Sequence, residues 1–508
     1  MFPRNLFLAI LSGGLLILAF PKFSQGWLVW VAVFPLLLVC FYASPKRAFL
    51  YGFLSGTIFF GGLLYWLLSL EPWAGLSLSI LAWVALTLVE ALTFGFFAAG
   101  ASIISKNYST WWRLILIPAW WVSLEFLRSI GPWSFSWGVL GISQTSSLMV
   151  LKLAKMLGVF GLSYLILLVN LTLTELFWPA FENIALKAST PKTAKLSLRP
   201  LSVLVAVFFL VIGANVPFPR EKSSFSDPFK VALIQGNIPR EQKWDEGKAG
   251  KIESVYFRET LKLKEGRPFL VIWPETAVPG FLFREQEFLK KVRFLAKELN
   301  SYLLVGSLDL DRKDRQYNSA FLFSPRGEVT GRYDKIKLVL FGEYVPPWPI
   351  FSNVKAVAGL GDNISPGRKI TLFKTDRGNF GAVICFESAN SFLVREAVSK
   401  GGKMIVVLTN DAWFGKTAAA AQHLDMLRIR AAENGVYALQ IANTGVTAVI
   451  SPEGEVLKKT ALFKKAVING QVALAGRKTF YTRFGYLFPH FILFIGLGQF
   501  LILIKKKF

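Results

Sequence analysis

The chain has 508 residues, of which 53% are hydrophobic, and its mean hydropathy of +0.46 excludes an ordinary soluble protein. Its formal net charge of +25 would suit a nucleic-acid partner, but no binding module or basic repeat accompanies it, and we expect none. Basic residues beside apolar segments are instead typical of membrane topology. The two histidines stand in no metal-ligand spacing, so no metal site is expected.

Long apolar stretches fill the first part of the chain, each near the roughly 20 residues that a helix needs to cross a bilayer. They predict about seven spans before a polar region and one span after it. The stretches are Leu6–Phe20, Gly26–Tyr42, Phe49–Leu70, Ala74–Ile104, Trp111–Leu127, Leu151–Trp178, Leu201–Val216 and, last, Leu487–Ile504. We therefore expect a transmembrane domain over 1–216, a polar domain over 217–486, and a final helix with a basic tail over 487–508.

Basic residues between the predicted spans indicate the orientation of the chain. Lys46 with Arg47, Lys106 with Arg113, and the terminal Lys505–Lys507 fall on one side if the spans alternate. Cytoplasmic loops carry the excess of Lys and Arg, so this side is predicted to be the cytoplasm and the polar domain to lie outside it.

Acidic residues within the apolar stretches are costly there. They are Glu90, Glu125 and Glu175. Glu125 and Arg128 are one helical turn apart, which predicts an ion pair between them.

Short apolar runs alternate with amphipathic stretches in the polar region, which predicts a single α/β domain. The predicted strands are Phe229–Gln235, Phe269–Trp273, Tyr302–Ser307, Ser319–Phe323, Gly381–Ile384, Met404–Leu408, Ala438–Ala442 and Val446–Ile450. The predicted helices are Lys248–Leu263, Glu285–Leu299, Ser391–Ser399 and Gln422–Asn434.

A single cysteine ends one of these apolar runs. Val383 and Ile384 lead into Cys385, which predicts a buried strand whose last residues emerge from the sheet. The other cysteine, Cys40, lies in an apolar stretch, so a disulfide is not expected. A lone thiol at a strand end is either a nucleophile or a buried structural cysteine, and its partners decide between the two.

An acid and two lysines offer partners for this thiol. Glu275 follows Pro274, which ends a predicted strand, and would serve as a general base. Lys335 and Lys337 lie on one face if their segment is extended, and an ammonium there would lower the thiol pKa or stabilise an oxyanion. Taken singly, these residues are equally typical of a helix cap or a solvated face.

In chain order, the motifs Trp-Pro-Glu, Tyr-x-Lys and Cys-Phe-Glu resemble the Glu-Lys-Cys triad of the carbon–nitrogen hydrolase, or nitrilase, superfamily. The resemblance implies a four-layer α-β-β-α sandwich. It implies that Glu275 is the base, that Lys335 stabilises the tetrahedral intermediate and that Cys385 carries the acyl group. Of the two lysines, only Lys335 matches the motif.

A domain of this kind between membrane spans is similar to one family of that superfamily, the apolipoprotein N-acyltransferases of the bacterial envelope. Further similar stretches are Phe341–Pro346, Asn410–Gly415, Arg430–Gly435 and Asn443–Thr447. The resemblance implies supporting roles for Glu343 and Glu387. It implies substrate binding by Trp244, Tyr344, Phe386, Trp413 and Phe414. The family usually carries a tyrosine where this chain has Phe386.

The chemistry that this resemblance implies is a two-stage acyl transfer on the outer face of the inner membrane. A phospholipid gives an acyl chain to Cys385 as a thioester, and the chain then passes to the α-amine of the diacylglyceryl-cysteine of an apolipoprotein. No cofactor is implied, because the acyl group arrives as an activated ester, and we expect a monomer.

Two other functions remain open from the sequence: a membrane-tethered amidase for small amides, and a non-catalytic envelope scaffold. A soluble substrate needs no membrane spans, and a scaffold need not keep the triad. Two apolar loops, 279–283 with Phe281 and Phe283, and 345–351 with Trp348, either dip toward lipid or pack on the domain itself.

Overall fold

The computed structural model describes residues 2–186, 198–216, 225–243, 246–278, 280–346 and 363–505. The chain forms two compact units. The helical unit comprises 1–68, 77–218 and 484–508, and the α/β unit comprises 69–76 and 219–483. Trp244 and Trp348 lie outside the described residues.

Each apolar stretch predicted from the sequence contains helix. The helices of the helical unit are Phe2–Ala19, Val29–Ala32, Phe34–Tyr42, Pro45–Leu63, Leu76–Asn107, Thr110–Arg128, Leu148–Leu151, Ala154–Leu186, Leu198–Asn215 and Leu487–Lys505. Within the described ranges, two helical segments, Leu76–Asn107 and Ala154–Glu182, are long and apolar enough to cross a membrane. A third span results if the pair Pro45–Leu63 and Tyr65–Ala74, bent by 47°, counts as one. The number of about seven spans before the polar region stays a prediction.

The acidic side chains of the helical unit are held by specific partners. Arg128 Nη1 lies 3.0 Å from Glu90 Oε2, a different partner from the one predicted. Glu125 Oε1 instead accepts the backbone amide of Leu140 at 2.8 Å. The Arg128 side chain reaches across to another helix because carbonyl acceptors in residues 135–137 hold its Nη1 there.

In its described residues, the α/β unit contains two six-stranded sheets. In chain order the strands are β1 (Phe229–Gln235), β2 (Leu270–Ile272), β3 (Tyr302–Leu310), β4 (Gln316–Phe323), β5 (Val329–Asp334), β6 (Leu372–Thr375), β7 (Gly378–Ile384), β8 (Ile405–Thr409), β9 (Ala438–Ala442), β10 (Ala448–Ile450), β11 (Val456–Lys459) and β12 (Ala466–Val472). The first sheet has the order β12-β1-β2-β3-β4-β5 and the second has the order β11-β10-β9-β8-β7-β6. Strands β1, β2 and β3 are parallel, as are β7, β8 and β9.

Helices cover the outer face of each sheet. Ala249–Leu261 and Gln286–Leu299 pack on the first sheet, and Ser391–Ser399 and Ala419–Asn434 pack on the second. Apolar side chains of both sheets form the core between them. The shorter helices are Glu71–Ala74, Arg240–Lys243 and Phe480–Phe484. The predicted four-layer α-β-β-α sandwich is confirmed, and its central parallel strands end where the predicted site residues begin.

Candidate active site

Cys385 occupies a sharp turn at the carboxyl end of β7. The strand ends at Ile384, and a short 3₁₀ turn, Cys385–Ala389, begins at once. Cys385 has a φ of +54°, which a non-glycine residue rarely adopts and which costs on the order of 1–3 kcal/mol. Such strain is typical of reactive positions, and here it turns a half-buried thiol out of the sheet.

Glu275 stands at the carboxyl end of β2 and is only 7% exposed. Pro274 ends the strand pairing, and Thr276 continues in a left-handed conformation with a φ of +46°. The backbone here passes very close to Gly306 of β3, where a β-carbon would lie 2.3 Å from Pro274 O and 2.8 Å from Glu275 Cα. The glycine therefore permits the position that Glu275 occupies.

Lys335 follows β5, and its ammonium lies between two carboxylates. Its Nζ is 2.8 Å from Glu343 Oε1 and 3.5 Å from Glu275 Oε1, and its side chain is 1% exposed. Asn318 of β4 joins the same two acids, because its Nδ2 donates to Glu275 at 2.7 Å and to Glu343 at 3.1 Å. Glu343 Oε2 also accepts the amide of Val339 at 2.9 Å. The three charged groups thus have fixed orientations.

Glu387, two residues after Cys385, is fully buried and acts as a hub of hydrogen bonds. Its Oε1 accepts the amides of Ile336 and Lys337 at 2.7 and 2.9 Å. Its Oε2 accepts the Tyr333 hydroxyl at 2.8 Å and the Ile384 amide at 2.7 Å. Glu387 therefore fixes the segment that carries Lys335 against the turn that carries Cys385.

The surroundings of Cys385 and Lys335 set their protonation at rest. Burial raises the pKa of the Cys385 thiol, Glu275 raises it further, and Lys335 opposes both. Burial alone would lower the pKa of Lys335, but Glu343 and Glu275 outweigh it and raise that pKa above its usual range. The resting site thus holds a neutral thiol beside an ammonium, and the thiol needs a base to ionise.

A second buried network lies behind the Cys385 turn. His423, in the helix Ala419–Asn434, has Nδ1 3.1 Å from Asp411 Oδ1. Its Nε2 lies 3.1 Å from the Cys385 carbonyl oxygen and 2.8 Å from the Ser388 hydroxyl. A carboxylate and a carbonyl only accept hydrogen bonds, so both ring nitrogens are placed to donate, as an imidazolium does. Asp411 follows β8, and Thr409 also donates to it at 2.9 Å.

The other predicted site residues are distributed around these networks. Phe386 and Tyr344 follow Cys385 and Glu343 directly, and both are partly buried. Trp413 and Phe414 share the 3₁₀ turn of Asp411, and the Trp73 ring packs on Trp413 with centroids 6.2 Å apart.

The positions of Lys337 and Phe283 bear on two expectations from the sequence. Lys337 reaches the site through its backbone amide to Glu387, which agrees with the choice of Lys335. Phe283 packs on Phe321 with ring centroids 4.9 Å apart, which favours packing of this part of the predicted apolar loop on the domain itself.

Comparisons with known proteins cover nearly the whole chain. The carbon–nitrogen hydrolase family matches residues 230–480, and the apolipoprotein N-acyltransferase N-terminal domain matches residues 12–172. An apolipoprotein N-acyltransferase of Geobacter metallireducens is 37% identical, over 96% of this chain and 92% of that protein. The protein of the same name from Methylococcus capsulatus is 31% identical, over 95% and 93%.

The chain belongs to the apolipoprotein N-acyltransferase family. Among solved structures, an amidase from Nesterenkonia sp. has a TM-score of 0.39 and 17% identity, over 50% of this chain and 92% of that one. Saccharomyces cerevisiae Nit3, of the nitrilase superfamily, also has a TM-score of 0.39, with 20% identity over 50% and 93%.

Three parts of this acyltransferase-family site were not singled out in the sequence. Asn318 directly precedes the predicted strand Ser319–Phe323, where one amide among polar residues carries no distinguishing signal. Asp411 and His423 belong to different elements, so their pairing depends on the fold. The third is Lys243, whose Nζ donates to the Glu275 carbonyl oxygen at 3.1 Å and whose burial no local pattern indicates.

Proposed function

We propose that this protein transfers an acyl chain from a phospholipid, through a thioester on Cys385, to the α-amine of the N-terminal diacylglyceryl-cysteine of apolipoproteins. The observation that carries the proposal is the convergence of Glu275, Lys335 and Cys385 from three strand ends, in a chain that matches N-acyltransferases over nearly its full length. Their proximity supplies a nucleophile, a base and a cation for acyl transfer.

In the first stage, Glu275 takes the thiol proton and the Cys385 thiolate attacks an ester carbonyl of the phospholipid. A bond forms between Sγ and the carbonyl carbon, and the Lys335 ammonium faces the negative charge that develops on the oxygen. The intermediate collapses with cleavage of the ester C–O bond. Glu275 returns its proton to the departing alkoxide, and a lysophospholipid leaves.

In the second stage, the neutral α-amine of the acceptor attacks the thioester. Glu275 accepts a proton from the nitrogen as the C–N bond forms, and the C–S bond breaks. The thiolate leaves readily and is reprotonated by Glu275, which restores the resting site. Water must be excluded while the thioester waits, because hydrolysis would turn the enzyme into a lipase.

The same proposal places the protein in the bacterial inner membrane as a multi-pass protein. Residues 1–216 and 487–508 form the transmembrane parts, and residues 217–486 form the catalytic domain on the periplasmic side. Phospholipid and diacylglyceryl apolipoprotein both reside in the membrane, which explains why the catalytic domain is carried by membrane helices. The basic loops predicted to face the cytoplasm support this orientation. The protein works as a monomer, without cofactor or nucleic acid.

Mass spectrometry of the purified full-length protein tests the thioester directly. After incubation with phospholipid and no acceptor, we expect a mass gain of one acyl chain on the peptide that contains Cys385. Addition of a diacylglyceryl lipopeptide should remove this gain and transfer the chain to the peptide amine. The matched control is Cys40→Ala, which removes the other thiol and should leave the adduct in place.

Two outcomes would contradict the proposal. The first is an acyl adduct that still forms in Cys385→Ser and passes to the lipopeptide as fast as in the wild type. The acyl-carrying nucleophile would then be a residue other than Cys385. Absence of any adduct in the wild type, together with release of ammonia from small amides, would make the tethered amidase the better account.

A further inference from the structure

Lys243 is a second lysine buried beside the site. It ends the short helix Arg240–Lys243 and is 4% exposed. Its Nζ donates to the backbone carbonyl oxygen of Glu275 at 3.1 Å. An ammonium has three donors, and this is its one hydrogen bond to any part of the chain that the structure describes.

The charged groups around the thiol carry more negative charge than Lys335 can balance. Lys335 lies between Glu275 and Glu343, so two carboxylates face one ammonium. Transfer of the thiol proton to Glu275 moves a negative charge to sulfur and leaves the total unchanged.

Two other acidic groups near Cys385, Asp411 and Glu387, have partners of their own. Asp411 is paired with His423, and Thr409 also donates to it. Glu387, in the same turn as Cys385, is held by four donors. The imidazolium of His423 is already paired with Asp411, and Glu387 is itself an acid, so neither group offsets the excess negative charge.

We propose that Lys243 is the second cation of the site, and that its ammonium stabilises the negative charge on the Cys385 thiolate and on the oxyanion formed from it. The inference rests on the proposed role of Cys385 as nucleophile. Lys243 acts through space and holds the Glu275 backbone, so it both balances charge and positions the base. No bond is made or broken at Lys243, and its proton stays on Nζ through both stages.

A purely structural lysine is a poor explanation for this arrangement. Burial of an ammonium to hold one carbonyl is costly, because a charged group gives up hydration by bulk water. A neutral donor would hold the Glu275 carbonyl without that cost. The buried charge is explained if it faces an anion that forms during the reaction.

The pKa of Lys243 predicts how the effect of this residue should depend on pH. Burial lowers it to about 8, while Glu275 and Cys385 act in the opposite direction. Lys243 is therefore an ammonium below about pH 8 and loses its charge as the pH rises through that value. Its stabilisation of the Cys385 thiolate should decrease above pH 8.

The experiment measures alkylation of Cys385 by iodoacetamide in the full-length protein in nanodiscs, by peptide mass spectrometry from pH 6 to 10. We expect Lys243→Met to slow alkylation by about tenfold or more at pH 7, which corresponds to about one pKa unit. The ratio of the wild-type alkylation rate to that of Lys243→Met should fall toward one above pH 8. Lys243→Arg should recover part of the rate, and Lys251→Met, on the exposed side of the next helix, should match the wild type.

Each outcome decides the inference. An alkylation profile that is unchanged in Lys243→Met, with or without a lower unfolding temperature, would make Lys243 a structural anchor and overturn it. Alkylation needs no acyl donor, so the proposed function is tested separately. If the wild type forms no thioester but Lys243→Met still changes the pH dependence of Cys385 alkylation, the proposed function is wrong. Lys243 would nevertheless be the second cation of the site.

Discussion

The Tyr333 hydroxyl donates to Glu387 Oε2 at 2.8 Å, and this hydrogen bond joins the two sheets at the site. Tyr333 lies in β5 of the first sheet, whereas Glu387 follows β7 of the second. Both side chains are fully buried, and burial raises the pKa of each. The relative position of Lys335 and Cys385 therefore depends on an acid that itself touches no substrate in the proposed mechanism.

Glu387→Gln is expected to abolish most acyl transfer while the protein still folds. A glutamine has one acceptor oxygen, so its NH₂ group would face two buried donors that now have no partner. Each buried donor left unsatisfied costs about 1–3 kcal/mol. Acyl transfer to a lipopeptide and thermal unfolding in detergent measure the two effects. Glu265→Gln, at an exposed position, is the control, and full activity of Glu387→Gln would contradict the positioning role.

Asn318→Ala is expected to lower the turnover number by about 10- to 100-fold with little change in KM. The variant removes the donor shared by Glu275 and Glu343, so the base loses its fixed orientation without loss of any charged group. Steady-state transfer kinetics separate the two parameters. Asn469→Ala, on an exposed position of β12, serves as the control. A rise in KM alone would instead indicate that Asn318 binds substrate.

The sheet interior could be predicted from the sequence because buried strands are continuous apolar runs. The eight predicted strands all exist, and they include every central strand of both sheets. The four strands that were not predicted, β5, β6, β11 and β12, are the four edges of the two sheets. Edge strands such as Val456–Lys459 are largely exposed and carry charged residues, so they have no apolar run to find.

Some residues of the site could likewise be predicted from the sequence, whereas others are recognised only in the folded structure. Glu275 and Cys385 could be singled out because each follows a central parallel strand, β2 in the first sheet and β7 in the second, and reactive side chains usually lie where such strands end. Asn318 and His423 could not, because their roles depend on side chains that are distant in the chain. Lys335 needed the resemblance to a known motif, since nothing local distinguishes it from Lys337.

The charge of His423 gives a pH dependence of stability with a definite sign. Burial alone would lower its pKa, but Asp411 outweighs burial and raises it above the usual value of about 6.5. The contribution to stability is therefore fully present below about pH 6.5 and is lost as the pH rises through the folded-state pKa. The difference in unfolding temperature between wild type and His423→Gln should be largest near pH 6 and shrink at alkaline pH. His490→Gln, the other histidine, is the control, and a difference that is constant with pH would mean a neutral ring.

Gly306→Ala tests whether close packing behind Glu275 sets the position of the base. The added β-carbon would lie 2.3 Å from Pro274 O, so either the β2 end or β3 must move. Overpacking of this kind costs about 1–3 kcal/mol, and the displacement should also reduce acyl transfer by more than the loss of stability explains. Gly250→Ala is the matched control, because a β-carbon there meets nothing within 4 Å. Both variants are assayed at a temperature where they are fully folded. Equal activities would show that the Glu275 carboxylate adjusts to a shifted backbone, which would contradict the claim that close packing at Gly306 fixes its position.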